Sequence, residues 1–285
     1  MLQARKDTEA FWKYKESITS VVFENEISVP EEGIKESWDV STAKDGSVMA
    51  YIEDDGLGTD TYKLHIQGND VIYANIGSSN LFNGFKNTTS IEGLEYLDTS
   101  NATNMISMFY GCSALTRLDV SNFDTSNVTH MGSMFQGCSS LTELDVSNFN
   151  TANVINMSGM FSQCNKLTEL DVSNFNTANV INMSGMFNWC SSLTELDVSN
   201  FNTSDVTAMN MMFSHCFNLT TEITIRGNVT SYSTMFSNAA TQTGAKITVN
   251  YTSDTSLLVD EMLKTKSTNS NVVKGKEEKP LTPQE

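Results

Sequence analysis

The stretch Leu115-Thr116-Arg117-Leu118-Asp119-Val120-Ser121-Asn122-Phe123 decides the fold, because nearly the same residues recur at Leu141 to Phe149, Leu167 to Phe175 and Leu193 to Phe201. The interval is 26 residues each time, and the five cysteines and the Met-Phe pairs keep the same interval. A fixed period of roughly 20–50 residues is typical of stacked repeats in which each unit buries its apolar face against the next. The chain therefore predicts a repeat architecture.

Each repeat contains three kinds of local signal. Leu-x-x-Leu-x-Val favours a short strand with its apolar residues inward, and Asp/Asn-Thr-Ser/Ala-Asn favours a turn. Met134-Phe135-x-x-Cys138 favours a short helical turn before the next strand. With neighbouring repeats about 4.8 Å apart, we expect an α+β repeat protein, a right-handed leucine-rich-repeat-like solenoid of short strands and short helical turns.

The sequence outside the repeats predicts a cap at each end, since an uncovered first or last repeat exposes core and backbone. Residues 1–78 are predicted to be a β-rich N-terminal cap, residues 79–220 the solenoid, residues 221–273 a degenerate repeat with a mixed C-terminal cap, and residues 274–285 a linker or tail. In the N-terminal part we predict a short helix and four strands: Thr8–Lys15, then Ser20–Phe23, Ser47–Ile52, Tyr62–Ile66 and Val71–Tyr73.

For the C-terminal part the sequence predicts strands at Glu222–Ile225, Lys246–Tyr251 and Val272–Val273. A capping helix is expected at Ser256–Lys264. Its side chains Leu257, Leu258 and Met262 are predicted to face inward.

The composition limits the possible partners. The net charge of −17 argues against nucleic acid and against anionic membranes, because both require a basic face. It is compatible with a cationic partner, with metal ions or with a simply solvated surface. No apolar run approaches the roughly 20 residues that span a bilayer, and the charged start of the chain has no secretory signal. We therefore expect either a cytosolic protein or a piece of a longer exported chain.

The repeats resemble those of the BspA-like leucine-rich-repeat surface proteins of bacteria. The resemblance rests on Leu-Asp-Val-Ser-Asn-Phe-Asp-Thr-Ser-Asn-Val-Thr at Leu118 to Thr129 and on the recurring Met-Phe-x-x-Cys-x-x-Leu tract, over roughly residues 79–240. It implies an extracellular or cell-surface protein that binds a host or neighbouring-cell macromolecule, often as an adhesin. Related repeats are similar to parts of phage and prophage tail proteins.

A periodic row of carboxylates is predicted on the outward side of the Leu-x-x-Leu-x-Val segments. We call it the acidic face, and its candidate binding residues are Asp119, Glu143, Asp145, Glu169, Asp171, Glu195 and Asp197. The row suits a basic protein surface, or Ca²⁺, which prefers several carboxylate oxygens. The alternative is that each aspartate is present because its side chain bonds neighbouring backbone.

The remaining residue types favour binding over catalysis. The cysteines lack the clustered spacing of a zinc site, so we predict buried free thiols, with a Cys164–Cys190 disulfide as the alternative. The histidines (His65, His130 and His215) are scattered, and no nucleophile or phosphate-binding motif is present. We therefore expect a non-enzymatic binding module, without cofactor and monomeric. The alternatives are a structural spacer or a phage-tail-type receptor-binding component.

Overall fold

The fold consists of strands at both ends and a long run of turns between them. The computed structural model describes residues 1–279. Its strands are β1 (Ile18–Glu24), β2 (Ile34–Asp39), β3 (Val48–Asp54), β4 (Tyr62–Gly68), β5 (Ile72–Tyr73), β6 (Ser90–Glu92), β7 (Leu97–Asp98), β8 (Thr220–Ile225), β9 (Lys246–Tyr251) and β10 (Val272–Glu277), its α-helix is α1 (Ser256–Leu263), and 3-10 turns occupy Ala10–Tyr14 and Leu94–Tyr96.

The N-terminal strands form a mixed sheet of five, in the order β2-β3-β4-β1-β6. Strands β2, β3 and β4 are antiparallel neighbours, whereas β1 pairs in parallel with both β4 and β6. Val21 thus lies between Leu64 on one side and Ile91 on the other, which joins the N-terminal sheet to the first repeat. Strands β1, β3 and β4 of this sheet lie where the sequence predicted them, as does β5, which pairs in parallel with β7 outside the sheet. The helix predicted there is only a 3-10 turn, and β2 and β6 were missed.

The predicted α+β leucine-rich-repeat-like solenoid is wrong. Only about 6% of the described chain is helical, and the regular structure is mostly strand, in mixed and parallel sheets. Between residues 99 and 219 the described structure contains neither a helix nor a strand. Single parallel bridges link equivalent positions of successive repeats, from Gly77–Asn104 to Ala208–Ser231. We call residues 77–240, in which these bridges occur, the repeat stack.

The Leu-x-x-Leu-x-Val segments do not pair as strands, because side chains take hydrogen bonds that a ladder would need. The carboxylate of Asp145 accepts the N–H of Ser147 at 2.9 Å. The Asn148 amide donates to the carbonyls of Val120 and Phe123 in the preceding repeat, at 3.0 and 2.9 Å. Short polar side chains compete with regular structure in this way. The inward orientation of the leucines and valines is nevertheless confirmed, since all of them are buried.

The helical turn predicted at Met134-Phe135-x-x-Cys138 is instead a run of turns of alternating hand, which we call the turn row (residues 131–138 and their equivalents). Positive φ at Ser133 (56°) and Gly137 (78°) is incompatible with an α-helix. The alternation leaves every second N–H, such as that of Phe135, free to bond a carbonyl of the next repeat at 2.9 Å. Hydrogen bonds between repeats therefore replace those that a helix would have made within one.

The core consists of columns of identical side chains. The rings of Phe109, Phe135 and Phe161 stack with centroids 5.8 Å apart, and buried methionines flank them. The cysteines are free and buried, as predicted; the Cys164 thiol donates to the carbonyl of Phe135 at 3.3 Å. Burial raises the pKa of these thiols, to about 12 for Cys138.

A second buried column is polar. Thr125, Thr151 and Thr177 are each 1% exposed, and their hydroxyls connect adjacent repeats. The Thr151 hydroxyl donates to the carbonyl of Asn176 at 3.0 Å and accepts the N–H of Asn176 at 2.7 Å. Each such hydroxyl satisfies two backbone groups of the following repeat, which no apolar side chain could do.

Side chains cover both ends of the turn row, with donors at the end that exposes carbonyls and acceptors at the end that exposes N–H groups. At the first repeat the carbonyl of Leu81 accepts the buried indole N–H of Trp12 at 2.9 Å, and the guanidinium of Arg5 donates to the carbonyl of Asn83. The last repeat ends the row with N–H groups. The Phe236 N–H donates to the hydroxyl oxygen of Thr265 at 3.3 Å.

The C-terminal strands form a parallel sheet in the order β10-β9-β8, at the positions predicted for them. Helix α1 also lies where predicted. Met262 is buried and Leu258 packs partly buried against the core, as predicted, but Leu257 is 81% exposed and Val259 is buried. Strand β10 extends to Glu277, so the linker predicted from residue 274 is wrong up to that point. The remainder of the predicted linker, from residue 280, lies outside the described residues.

Candidate functional site

All seven predicted residues of the acidic face are exposed. They lie on the outer side of the Leu-x-x-Leu-x-Val segments in four successive repeats. The structure divides them into two groups, because the four aspartates are bonded within their own turns and the three glutamates are not.

Each aspartate of the acidic face stabilises the turn that follows it. Asp145 and Asp171 accept the N–H groups of Ser147 and Ser173 at 2.9 Å, and the other two aspartates make the same contact. Hydrogen bonds from the Ser147 hydroxyl and backbone N–H lower the pKa of Asp145, because they favour the charged carboxylate. The bond to neighbouring backbone that the alternative explanation of the aspartates requires is thus present in all four.

The glutamates form a separate line, which we call the Glu row (Glu143, Glu169, Glu195 and Glu222). The carboxylate of Glu143 pairs with Arg117 at 2.8 Å, but both side chains are more than half exposed, so the pair is weak. Within residues 1–279, Glu169 and Glu195 make no hydrogen bond or ion pair in the structure. These two carboxylates are available to a partner.

Shallow grooves separate the carboxylates of neighbouring repeats. The largest has a volume of about 620 Å³ and is lined by Glu169, Asp171, Glu195, Asp197 and Glu222, with Leu170 and Leu196 at its base. A second groove of about 470 Å³ lies one repeat earlier. The leucine side chains at the base are 4–7% exposed. The acidic face therefore offers negative charge above narrow apolar strips.

The possible metal ligands of the described residues do not gather into one cluster. Across residues 1–279, no three His, Cys, Asp or Glu side chains come together as ligands, so the carboxylate row does not provide a calcium cage. The histidines lie apart: His65 is bonded to Glu24 and Glu53 in the N-terminal sheet, and His215 stacks on Trp189.

A second concavity, which the sequence did not point out, crosses the turn rows. We call it the aromatic cleft (Tyr110, Gly111, Gly137, Gln163, Asn165 and Trp189); its volume is about 510 Å³. One feature of the sequence could have indicated the aromatic cleft. Gly111, Gly137, Gln163 and Trp189 occupy the same position in successive repeats, so the alignment shows a column that changes from glycine to tryptophan.

In the part of the chain that the structure describes, none of the helices has the length and apolar character that crossing a bilayer requires.

The repeats match one known family. Residues 78–170 and 145–251 each match the model described as "Mycoplasma protein of unknown function, DUF285". The two matches overlap, as tandem repeats allow, and together they cover more than half of the 285 residues. No curated protein and no solved structure matches the chain. The chain therefore belongs to the repeat-containing DUF285 family.

Proposed function

We propose that this protein is a non-enzymatic binding module that recognises a basic segment of a cell-surface macromolecule, most simply a protein, through the acidic face. The observation that carries the proposal is the exposed, unpartnered pair Glu169 and Glu195 above the groove of about 620 Å³. The extracellular location and the kinship to BspA-like surface proteins are part of the same proposal, and they rest on the resemblance of Leu118 to Thr129.

The carboxylates of the acidic face favour a positively charged partner. Carboxylates of adjacent repeats repel each other, and nothing in the fold requires the glutamates as it requires the aspartates. A basic partner relieves this repulsion, and its aliphatic Lys or Arg stems cover the leucine strips at the base of the grooves. Exposed charges mainly accelerate association and set its salt dependence, so the interaction is expected to weaken as salt is added.

The test compares two charge-matched variants of the full chain. Glu169→Gln with Glu195→Gln removes two charges from the Glu row; Asp171→Asn with Asp197→Asn removes two from the turns. Binding is measured to intact cells and to purified matrix proteins and glycans, in low and high salt. We expect the glutamate variant to weaken saturable binding roughly three- to tenfold at low salt, and the aspartate variant to have a smaller effect.

Two results would contradict the proposal. If the glutamate variant binds like the original chain, the acidic face is not the contact surface. If the folded protein binds none of the probes saturably, the rival function of a structural spacer is favoured.

A further inference from the structure

Trp189 occupies a backbone conformation that glycine would adopt more easily. Its φ is 62°, and the equivalent residues Gly111 and Gly137 have φ of 71° and 78°. Left-handed backbone is unfavourable for residues with a Cβ, and a bulky residue there is an outlier. The equivalent residues Gln163 and His215 share this conformation, with φ of 61° and 62°. Trp189 therefore places a large ring where the earlier repeats have glycine or glutamine.

The ring of Trp189 is held in one orientation. One face stacks on His215, with centroids 4.0 Å apart and planes 6° apart, and Phe217 meets it edge-on at 5.8 Å. His215 is itself fixed by contacts of its two ring nitrogens with Ser214 at 2.9 Å and Asn238 at 3.1 Å. The ring remains 38% exposed and lines the cleft. A ligand that stacks on it would lose little entropy in ordering it.

The far end of the cleft also carries an exposed aromatic side chain. Tyr110 is 40% exposed and lies three repeats before Trp189, which is about 15 Å at strand spacing. Between the two rings, the absence of side chains at Gly111 and Gly137 leaves the floor open. The cleft is therefore a trough with an aromatic ring at each end.

The rest of the cleft is polar and uncharged. The side-chain amides of Gln163 and Asn165 form no hydrogen bond within residues 1–279, so both can donate and accept. Ser113 and Ser139 line the same wall. Their hydroxyls donate to the carbonyls of Lys86 and Ser113, at 3.2 and 3.4 Å, and can still accept a hydrogen bond. No lining residue is charged, in contrast to the grooves of the acidic face.

We propose that the aromatic cleft binds a neutral oligosaccharide. The apolar C–H face of a pyranose ring packs on an indole or phenol ring, and its hydroxyls need amide and hydroxyl partners, which the cleft provides between the two rings. A proline-rich peptide is the less suitable occupant, because such segments dock in aromatic-lined grooves, whereas here the rings stand at opposite ends with amides between them. This site shares no residue with the acidic face.

The test is a titration of the full chain with neutral gluco-, galacto-, manno- and N-acetylglucosamine oligosaccharides of known length. Binding is followed by calorimetry and by tryptophan fluorescence. We expect saturable binding to at least one of these sugars, with affinity that increases from mono- to longer saccharides. Trp189→Gly is expected to weaken binding at least tenfold. Tyr110→Ala is expected to reduce the saccharide length up to which the affinity still increases.

The variants include their own controls. Trp189→Gly restores the residue that the column carries at Gly137, so we expect it to fold, as thermal unfolding would verify. Gln163→Ala is a milder exposed change that should also weaken binding, whereas Trp38→Phe and Glu169→Gln should leave it unchanged. The proposal is overturned if none of the sugars binds, if binding survives both Trp189→Gly and Tyr110→Ala, or if a proline-rich peptide binds in the cleft and the sugars do not.

Discussion

At the scale of single residues, the buried threonines hold the repeats together through polar contacts within an otherwise apolar core. The hydroxyl of Thr151 is both donor and acceptor to Asn176. Thr151→Val keeps the shape of the side chain and removes only the hydroxyl, so that a buried N–H and a carbonyl lose their partner. We expect the free energy of unfolding to fall by about 1–3 kcal/mol, measured by urea denaturation.

Two controls accompany this prediction. Thr151→Ser retains the hydroxyl and should lose less stability than the valine variant. Thr168→Val changes an exposed threonine of the next repeat and should have almost no effect. Equal stability of Thr151→Val and the original chain would show that water satisfies Asn176 in the absence of the hydroxyl.

The five buried thiols make stability depend on alkaline pH. Burial raises the pKa of the native thiols, to about 12 for Cys138 and Cys216, whereas in the unfolded chain they ionise near pH 8.5. Their contribution is therefore complete below about pH 8.5 and is lost as pH rises from there towards the native pKa. Unfolding by denaturant from pH 7 to 10 should show little change in the free energy of unfolding below about pH 8.5 and a steep decline above it, approaching about 1.4 kcal/mol per pH unit for each thiol.

Single thiol variants separate this effect from other alkaline transitions. Cys164→Ala should reduce the slope between pH 9 and 10 by about one fifth, because one of the five groups no longer contributes. In the native protein the thiols should not react with a thiol reagent, and five should react after unfolding. An unchanged slope in Cys164→Ala would assign the alkaline transition to other groups.

At the scale of elements, the N-terminal segment acts as a hydrogen-bond cap. The indole N–H of Trp12 is buried and donates to the carbonyl of Leu81. Trp12→Phe keeps an aromatic ring but leaves this carbonyl unpaired, and we expect a loss of about 1–3 kcal/mol. The first repeat should also exchange its amide hydrogens faster, which hydrogen exchange would measure at Phe82 and Gly84. Loss of stability without faster local exchange would point to packing of the ring rather than to capping.

The sequence predicted where most elements lie along the chain. It did not predict the backbone conformation within them. The strand at Lys246–Tyr251 was predicted at its observed bounds, because the β-branched residues Ile247, Thr248 and Val249 lie between turn-rich stretches. The turn row was misread as helical because Met134, Phe135 and Cys138 have helical spacing. Only the positive φ of Ser133 and Gly137 excludes a helix, and serine gives no sequence sign of it.

For the candidate site, too, the sequence predicted the positions of side chains but not their hydrogen bonds. The periodicity placed all seven carboxylates of the acidic face outward, but it could not separate the aspartates that bond their own turns from the glutamates that do not. That difference depends on one methylene group of side-chain length, which decides whether a carboxylate reaches the N–H two residues on. The aromatic cleft was missed because Tyr110 and Trp189 occupy different positions of their repeats and lie 79 residues apart.

At the scale of the whole molecule, the near-identity of the repeats makes the length of the stack adjustable. Deleting Leu141–Lys166 joins Ser140 to Leu167 in the original register, so that every column loses one member and keeps its contacts. We expect a cooperatively folded protein whose denaturant m-value is lower by about a tenth, since m scales with the surface exposed on unfolding.

A half-repeat deletion is the matched control. Removing Leu141–Asn153 places a turn row beside a leucine segment and breaks every column at the junction. This variant should unfold without a single cooperative transition. If the full-repeat deletion behaves in the same way, the individual repeats are not interchangeable units.

The direction of the hydrogen bonds in the turn row has a consequence for symmetry. Every second N–H of the row points towards the C-terminal end, and the carbonyls that accept these bonds point towards the N-terminal end, so the two ends are complementary to each other and not to themselves. Copies meeting end to end would have to join head to tail, an arrangement that does not close and grows into filaments. Trp12 and Arg5 at one end, and Thr265 and Ser267 at the other, occupy the groups through which such growth would proceed.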